Sequence, residues 1–450
     1  MSQQNKMNVD LIIEARWIVP VVPKNQCLEN AAVAVHQGKI VAIDAADVVR
    51  SNYQADKTVH LNEHVLIPGL VNLHAHLGMT LMRGLADDLP LMQWLERHIW
   101  PAEQQLVSER FVRDSALLGC AEMLAGGVTC VNDMYFYPQA TAEATLQAGI
   151  RANLGLVVLE FPTNYANSAD DYIEKGLNHR DEWRGQDLIS ASFAPHAPYT
   201  VSDSTFEKIV TYAEQLSLGI HTHLHETLDE VSQSLEQYGM RPIKRLSQLG
   251  VLGPNLTAAH CVQMVQEDIE LLQAHGCHVA HCASSNLKLA SGMAPVKQMM
   301  DTGLNVGLGT DGAASNNRQD MFVEMRTAAL LAKGLTGNAG SVPAWQALEM
   351  ATINGAKALG LESQIGSLEV GKLADFCAVK MSEIETWPCF DPLSHLVYVA
   401  GREHVSHVWV NGDLRFERSN LREGAYANIE PAELKEIVLK WQPKLNQHKV

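Results

Sequence analysis

Eight short apolar runs, separated by stretches of helical periodicity, leave few folds open to this chain. The runs span 70–76, 128–134, 150–159, 188–196, 219–225, 256–262, 278–284 and 305–311. Helical patterns at 108–125, 140–148, 169–183, 202–216, 228–249, 266–275 and 294–302 separate them, and 319–333 follows the last. Antiparallel neighbours need only tight turns. Strands joined through helices instead predict parallel pairing. Eight such units over roughly 240 residues match the length and alternation of a (β/α)8 TIM-like barrel. An open doubly wound sheet is the alternative. The chain has no GxxxxGK[ST] loop, and Gly307-Leu-Gly309 lacks the third glycine of a dinucleotide fingerprint.

The two ends read differently from the middle. VDLIIEARWIVP and NAAVAVHQGKIVAID, then KLADFCAVKM and HVSHVWVNGDLRF, carry strand patterning, with turn signals at Gln37-Gly38 and Asn411-Gly412. These ends predict one small composite β-sandwich domain built from both termini. The expected division is 1–66 and 366–425 for that β domain, 67–365 for the barrel, and 426–450 for a C-terminal helix or tail.

Charge narrows the partners. Lys and Arg number 34 against 51 Asp and Glu, a net charge of −17, with no basic run. Nucleic acid and anionic membrane surfaces are therefore not expected partners. No apolar run approaches the ~18 residues a bilayer span needs. MSQQNKMNVD lacks a signal-peptide core, so a cytoplasmic location is expected. None of the eight cysteines forms a CxxC pair, which reads as reduced core thiols. Cys261 and Cys282 each follow a histidine at a strand end, and strand alternation points them away from it, into barrel–helix packing.

Polar residues collect at the C-terminal ends of the predicted strands, where barrel enzymes build their active sites. The first run ends in His74-Ala-His76, the fourth at His196, the fifth in His221-Thr-His223-Leu-His225-Glu226, the sixth at His260, the seventh at His281 and the eighth at Asp311. Any one of these is more often a hydrogen-bonded structural residue than a ligand. Six of eight strands ending this way is hard to explain by packing, because buried polar groups without partners are costly. Residues i and i+2 of a strand share a face, so His74 and His76 can reach one ion. A third histidine and a carboxylate, His223 and Asp311, would complete an N/O site suited to Zn2+, with Fe2+ or Mn2+ as alternatives. Spacing alone does not separate His223 from His221 and His225.

Pro68-Gly69-Leu-Val-Asn-Leu-His74-Ala-His76, the HLHET run, Ala-Ala-His260-Cys, His281-Cys-Ala-Ser-Ser-Asn286-Leu-Lys288, Gly309-Thr-Asp311-Gly-Ala-Ala-Ser315-Asn316 and Gly366-Ser-Leu-Glu-Val-Gly371-Lys-Leu-Ala-Asp375 together resemble the amidohydrolase superfamily, whose barrel is of the metal-dependent hydrolase type. Met79-Thr-Leu-Met-Arg83-Gly-Leu-Ala-Asp87-Asp88, Asn132-Asp-Met-Tyr135-Phe136 and Ala194-Pro-His196-Ala-Pro-Tyr199 are most similar to its 5'-methylthioadenosine/S-adenosylhomocysteine deaminases. The resemblance implies one divalent metal per chain on His74, His76, His223 and Asp311. It implies substrate contacts from Glu103, His196, Glu226, His260 and Ser315. It implies a purine nucleoside as the small-molecule partner and a homo-oligomer, a dimer or larger. One departure favours methylthioadenosine over the anionic-tailed S-adenosylhomocysteine: Gly149-Ile-Arg151 is followed by no second arginine.

Deamination at adenine C6 needs an activated water, a proton on N1 and a proton for ammonia. In the expected mechanism Asp311 accepts the water proton, Glu226 protonates N1, and His260 stabilises charge on the attacking oxygen. Glu103 would accept the ribose hydroxyls, and the apolar Leu89–Leu95 segment would cover the 5' group. Guanine or cytosine deamination, triazine dechlorination and a catalytically silent binding role are the competing functions.

Overall fold

The computed structural model describes residues 6–418 and 424–449. Residues 1–5 and 419–423 of the expected β domain, and Val450 of the tail, lie outside the described residues. Strands β1 (Met7–Ile18), β2 (Leu28–His36), β3 (Lys39–Ala45) and β4 (Tyr53–Pro68) precede the barrel. The barrel strands are β5 (Leu70–Ala75), β6 (Val128–Tyr135), β7 (Arg151–Val158), β8 (Ile189–Pro195), β9 (Gly219–Leu224), β10 (Leu256–His260), β11 (His278–His281) and β12 (Asn305–Leu308). Strands β13 (Phe376–Lys380), β14 (Val405–Val410), β15 (Asp413–Arg418) and β16 (Gly424–Tyr426) follow.

The eight predicted runs are the eight parallel strands of one sheet, in sequential order from β5 to β12. Its seam uses side chains and strand ends in place of a full ladder. Asp311 N–H donates to the His74 carbonyl at 2.9 Å, Thr310 N–H to Asn72 Oδ1 at 3.0 Å, and Asn72 Nδ2 to Thr310 Oγ1 at 2.8 Å. Barrel closure is thus made by the residues that flank the strand-end histidines and aspartate.

The two ends of the chain form one mixed sheet in the order β16-β15-β14-β13-β4-β1-β2-β3. Strand β13 joins the halves by pairing antiparallel to β4, with Phe376 opposite Pro68 and Lys380 opposite His64. Leu11, Ile13, Val33, Leu66, Phe376 and Trp409 share one buried cluster, so neither end can complete this core alone. Gln37 and Gly38 adopt φ of 51° and 73°, and Asn411 and Gly412 of 52° and 80°, the left-handed pairs of tight hairpins. The two turns also touch. A Cβ on Gly38 would lie 2.9 Å from the Asn411 carbonyl oxygen.

One predicted helix is broken. The 228–249 pattern is Leu228–Tyr238 followed by Pro242–Gln248. Gly239 closes the first at φ +69° and Pro242 opens the second, as their backbone preferences dictate. The C-terminal helix Pro431–Leu445 docks on barrel helix Glu109–Ala125. There Trp441 meets Phe111 edge to face and donates Nε1–H to Asp114 at 2.8 Å.

Candidate active site

The C-terminal ends of the barrel strands converge on a buried cluster. Nitrogen atoms of His74, His76 and His223 lie within 4.8 Å of one another. Asp311 Oδ1 is 3.3 Å from His74 Nε2 and 3.1 Å from His76 Nε2. The other ring nitrogens are tied back. His76 Nδ1–H donates to the Met134 carbonyl, His223 Nδ1–H to the His196 carbonyl at 2.7 Å, and His74 Nδ1–H to His221 Nε2 at 2.9 Å. Each imidazole therefore presents an Nε2 lone pair to the same point. His76 and His223 Nε2 face each other at 3.3 Å, and His74 Nε2 makes no hydrogen bond. Buried lone pairs aimed at one another beside a carboxylate repel unless a proton or a metal cation lies between them. Three nitrogens and one carboxylate oxygen fit a divalent, zinc-type ion with a position left open.

Asp311 is held in place from several sides. Its backbone lies at φ +62°, an uncommon conformation for a non-glycine residue and one found at functional sites. Ser285 Oγ–H and Ser315 Oγ–H both donate to Oδ2 at 2.6 Å. Ser315, expected at the substrate, thus lies on the metal-side carboxylate while also lining the cavity. Ser285 had no role in the sequence reading.

Beside this cluster opens a cavity of about 510 Å3, within the range of small-molecule sites. Glu226 reaches it from just past β9, and His260 from the end of β10. Glu226 Oε2 lies 3.9 Å from His260 Nε2, and His260 Nδ1–H donates to Asn286 Oδ1 at 2.9 Å, turning Nε2 to the cavity. Burial raises the Glu226 carboxyl above the usual range. Glu230, which sequence reasoning missed, accepts the backbone N–H groups of His225 and Glu226, both at 2.8 Å. It is the fourth member of Thr227-x-x-Glu230, and Thr227 Oγ1 accepts from Glu230 N–H. That capping pattern was its signal. His196 donates Nδ1–H to Thr200 Oγ1 at 3.0 Å, and burial holds its ring neutral down to about 3.

At the other side of the cavity, Glu103 lies on Trp100–Leu106, which continues the helical run begun at Leu91 through the π-helical turn Leu95–Ile99. Tyr135 donates its hydroxyl to Glu103 Oε1 at 2.7 Å, and burial pushes this carboxyl up to about 7. Asn164 Nδ2 caps the helix by donating to the carbonyls of Gln104 and Val107 at 2.9 and 3.0 Å. Leu91, Trp94 and Leu95 line the same cavity, as the apolar pattern of that segment suggested. The cavity lining includes no Lys or Arg among the described residues. Arg151 is remote from it, pairing with buried Asp375 and Asn411 where the barrel meets the β sheet.

The remaining histidines separate cleanly. His221 backs His74, as above. His225 is structural, accepting Ile243 N–H at 3.1 Å and lying 3.1 Å from the Gln263 carbonyl. His281 is buried outside the three-histidine cluster, with both ring nitrogens unpartnered.

A family model described as Amidohydrolase family matches residues 65–415. The chain belongs to this family. It is 47% identical to a 5-methylthioadenosine/S-adenosylhomocysteine deaminase of Saccharophagus degradans, covering 91% of this chain and 92% of the relative. It is 43% identical to a 5'-deoxyadenosine deaminase of Methanosarcina mazei, over 90% and 92% of the two chains. Among solved structures, an adenosine deaminase from Xanthomonas campestris with bound zinc superposes with a TM-score of 0.95 at 44% identity, covering 98% of this chain and all of the other. The site of this amidohydrolase suits a divalent metal, and no helix among the described residues is long and apolar enough to cross a membrane.

Proposed function

We propose that this amidohydrolase hydrolytically deaminates an adenine nucleoside, with 5'-methylthioadenosine as its first substrate, giving 5'-methylthioinosine and ammonia. S-adenosylhomocysteine and adenosine are further substrates. The observation that carries the reading is the pairing of Glu226 and His260 across 3.9 Å, beside three converging imidazoles and Asp311, in one cavity with Glu103. The named activities of the relatives support the same chemistry. His74, His76, His223 and Asp311 would hold a single Zn2+, which lowers the pKa of a bound water from ~15.7 to ~7.

Burial raises the Glu226 carboxyl above its usual range, which favours the acid form, and in this reading Glu226 delivers a proton to N1 as C6 becomes tetrahedral. Asp311 takes one proton of the attacking water and passes it to the departing ammonia, and the proton left on the attacking oxygen returns to Glu226 as the C6 carbonyl forms. His260 hydrogen-bonds the attacking oxygen, and Asn286 fixes the ring that does so. Glu103 accepts the ribose hydroxyls, with Tyr135 donating one hydrogen bond to its Oε1. His196 binds the purine edge. The uncharged wall of Leu91, Trp94 and Leu95 suits a methylthio group better than an anionic tail. Such a wall rejects a mere hydroxyl only about a hundredfold, so adenosine turns over more slowly.

Side-by-side kcat/KM values for 5'-methylthioadenosine, S-adenosylhomocysteine, adenosine and guanine test this. The order methylthioadenosine first, with guanine inert, is expected. Rapid turnover of guanine with none of methylthioadenosine overturns the reading.

A further inference from the structure

Cys282 does not face the barrel–helix layer, contrary to the strand alternation. Strand β11 ends one residue earlier, at His281. The backbone then turns at φ −111° and ψ 69° into the helix Ala283–Lys288. Cys261 remains in the main apolar cluster, whereas Cys282 is absent from it. The Cys282 sulfur, a ring nitrogen of His74 and a ring nitrogen of His260 lie within 4.8 Å of one another, and all three residues are buried. Two of these donors are under-used. His74 Nε2 has no hydrogen-bond partner, and the thiol's contact to the Ala280 carbonyl is a long 3.6 Å.

We propose that His74, His260 and Cys282 form a second, softer metal site overlapping the first, which takes a thiophilic ion such as Cd2+ and shuts the enzyme down. The donor chemistry selects the ion. Imidazole and carboxylate suit a borderline ion, whereas a thiolate adds preference for a soft one. Metal–donor distances of about 2.0–2.3 Å need donors roughly 3.5–4 Å apart, so this triad closes with small side-chain movements. On binding, the Cys282 S–H bond breaks heterolytically. Its proton leaves to the buffer, the sulfur bonds the ion, and no oxidation state changes. Both sites need His74, so they exclude each other. Occupation of the softer site also removes His260 from the attacking oxygen. Only the inhibition rests on the proposed deaminase activity.

The test uses the full-length zinc-loaded protein in a Cys27→Ser/Cys389→Ser background, which removes the exposed and half-exposed thiols. Titration with CdCl2 is followed by ultraviolet thiolate-to-cadmium absorbance, by metal analysis and by deamination. The expected result is an absorbance band that grows as activity falls, with about one zinc released per cadmium bound. Adding Cys282→Ser leaves basal activity within twofold, abolishes the band and raises the inhibitory Cd2+ concentration at least tenfold. A Cys261→Ser control keeps the band. Absence of the band in the Cys282-containing protein overturns the proposal. So does a band that survives Cys282→Ser, or retention of zinc alongside cadmium in the same chain. The band and the zinc release need no substrate. They therefore stand or fall separately from the deaminase reading, and they remain measurable if Cys282→Ser does not fold.

Discussion

Replacing Glu226 with Gln isolates proton transfer from everything else this residue does. The side chain makes little structural contribution of its own. Its one hydrogen bond is a long 3.4 Å contact from Ser291, and its backbone N–H is secured by Glu230. Losing or reversing the Ser291 contact costs about 1 kcal/mol of stability at most. The amide is isosteric and neutral in a pocket where the residue is only 5% exposed, so no buried charge is created. Gln can still approach N1, but it cannot give up a proton. General acid catalysis contributes about 10^2–10^4-fold, or roughly 2.7–5.4 kcal/mol of barrel-site transition-state stabilisation. The expected Glu226→Gln protein keeps its metal content and melts within a few degrees of wild type. Its KM changes less than fivefold, and its kcat falls at least a hundredfold. Loss of adenine absorbance gives the rate, and elemental analysis gives the metal content. A kcat within tenfold of wild type, with metal retained, refutes the role assigned to Glu226.

Further perturbations probe the surrounding parts. Glu103→Ala should raise KM for nucleosides roughly 10- to 100-fold while kcat changes little, since a hydrogen bond to a charged group is worth about 1.5–3 kcal/mol. Because burial puts the Glu103 carboxyl at about 7, wild-type KM should climb as pH falls below 7 and the acceptor gains a proton. Steady-state kinetics across pH 5.5–8.5 with the Ala variant as reference should show that slope only in wild type. Glu230→Gln keeps one acceptor and sets an amide N–H against a backbone N–H, so kcat/KM should drop roughly 10- to 150-fold with metal content unchanged. Prolonged chelation should abolish turnover and lower Tm, with zinc restoring both. His74→Ala should bind less than a tenth of the wild-type metal under the same dialysis.

Much of this molecule was legible before any coordinates. The barrel strands announced themselves because a parallel strand buried on both faces must be a short apolar run, and each run ended where a polar side chain had to be justified. Both hairpin turns were readable from Gln37-Gly38 and Asn411-Gly412, since few other pairs accept positive φ twice. The break at Gly239 and Pro242 was written in the sequence but outweighed by apolar periodicity on either side. Residues that act by holding others were silent. Tyr135, Asn164, Ser285 and Asn286 find their partners 26 to 57 positions away, and no local period encodes such meetings. Glu230 was the exception, visible as a helix cap although not as the clamp on Glu226. Cys282 was misplaced because alternation was extended past the true end of β11, where a single turned backbone unit redirects a side chain from one side of the wall to the other.

A metal held as proposed would have a structural task at the seam between β12 and β5. His74 and Asp311 stand about 240 positions apart in the chain yet meet across the last gap in the cylinder. An ion gripping both ties the first rung to the last, in effect a reversible cross-link. A covalent tie across a loop of that length removes about 5 kcal/mol of chain entropy from the unfolded ensemble. Metal supply would then govern how long each copy survives proteases as well as how fast it works, and a starved cell would lose the protein along with its turnover.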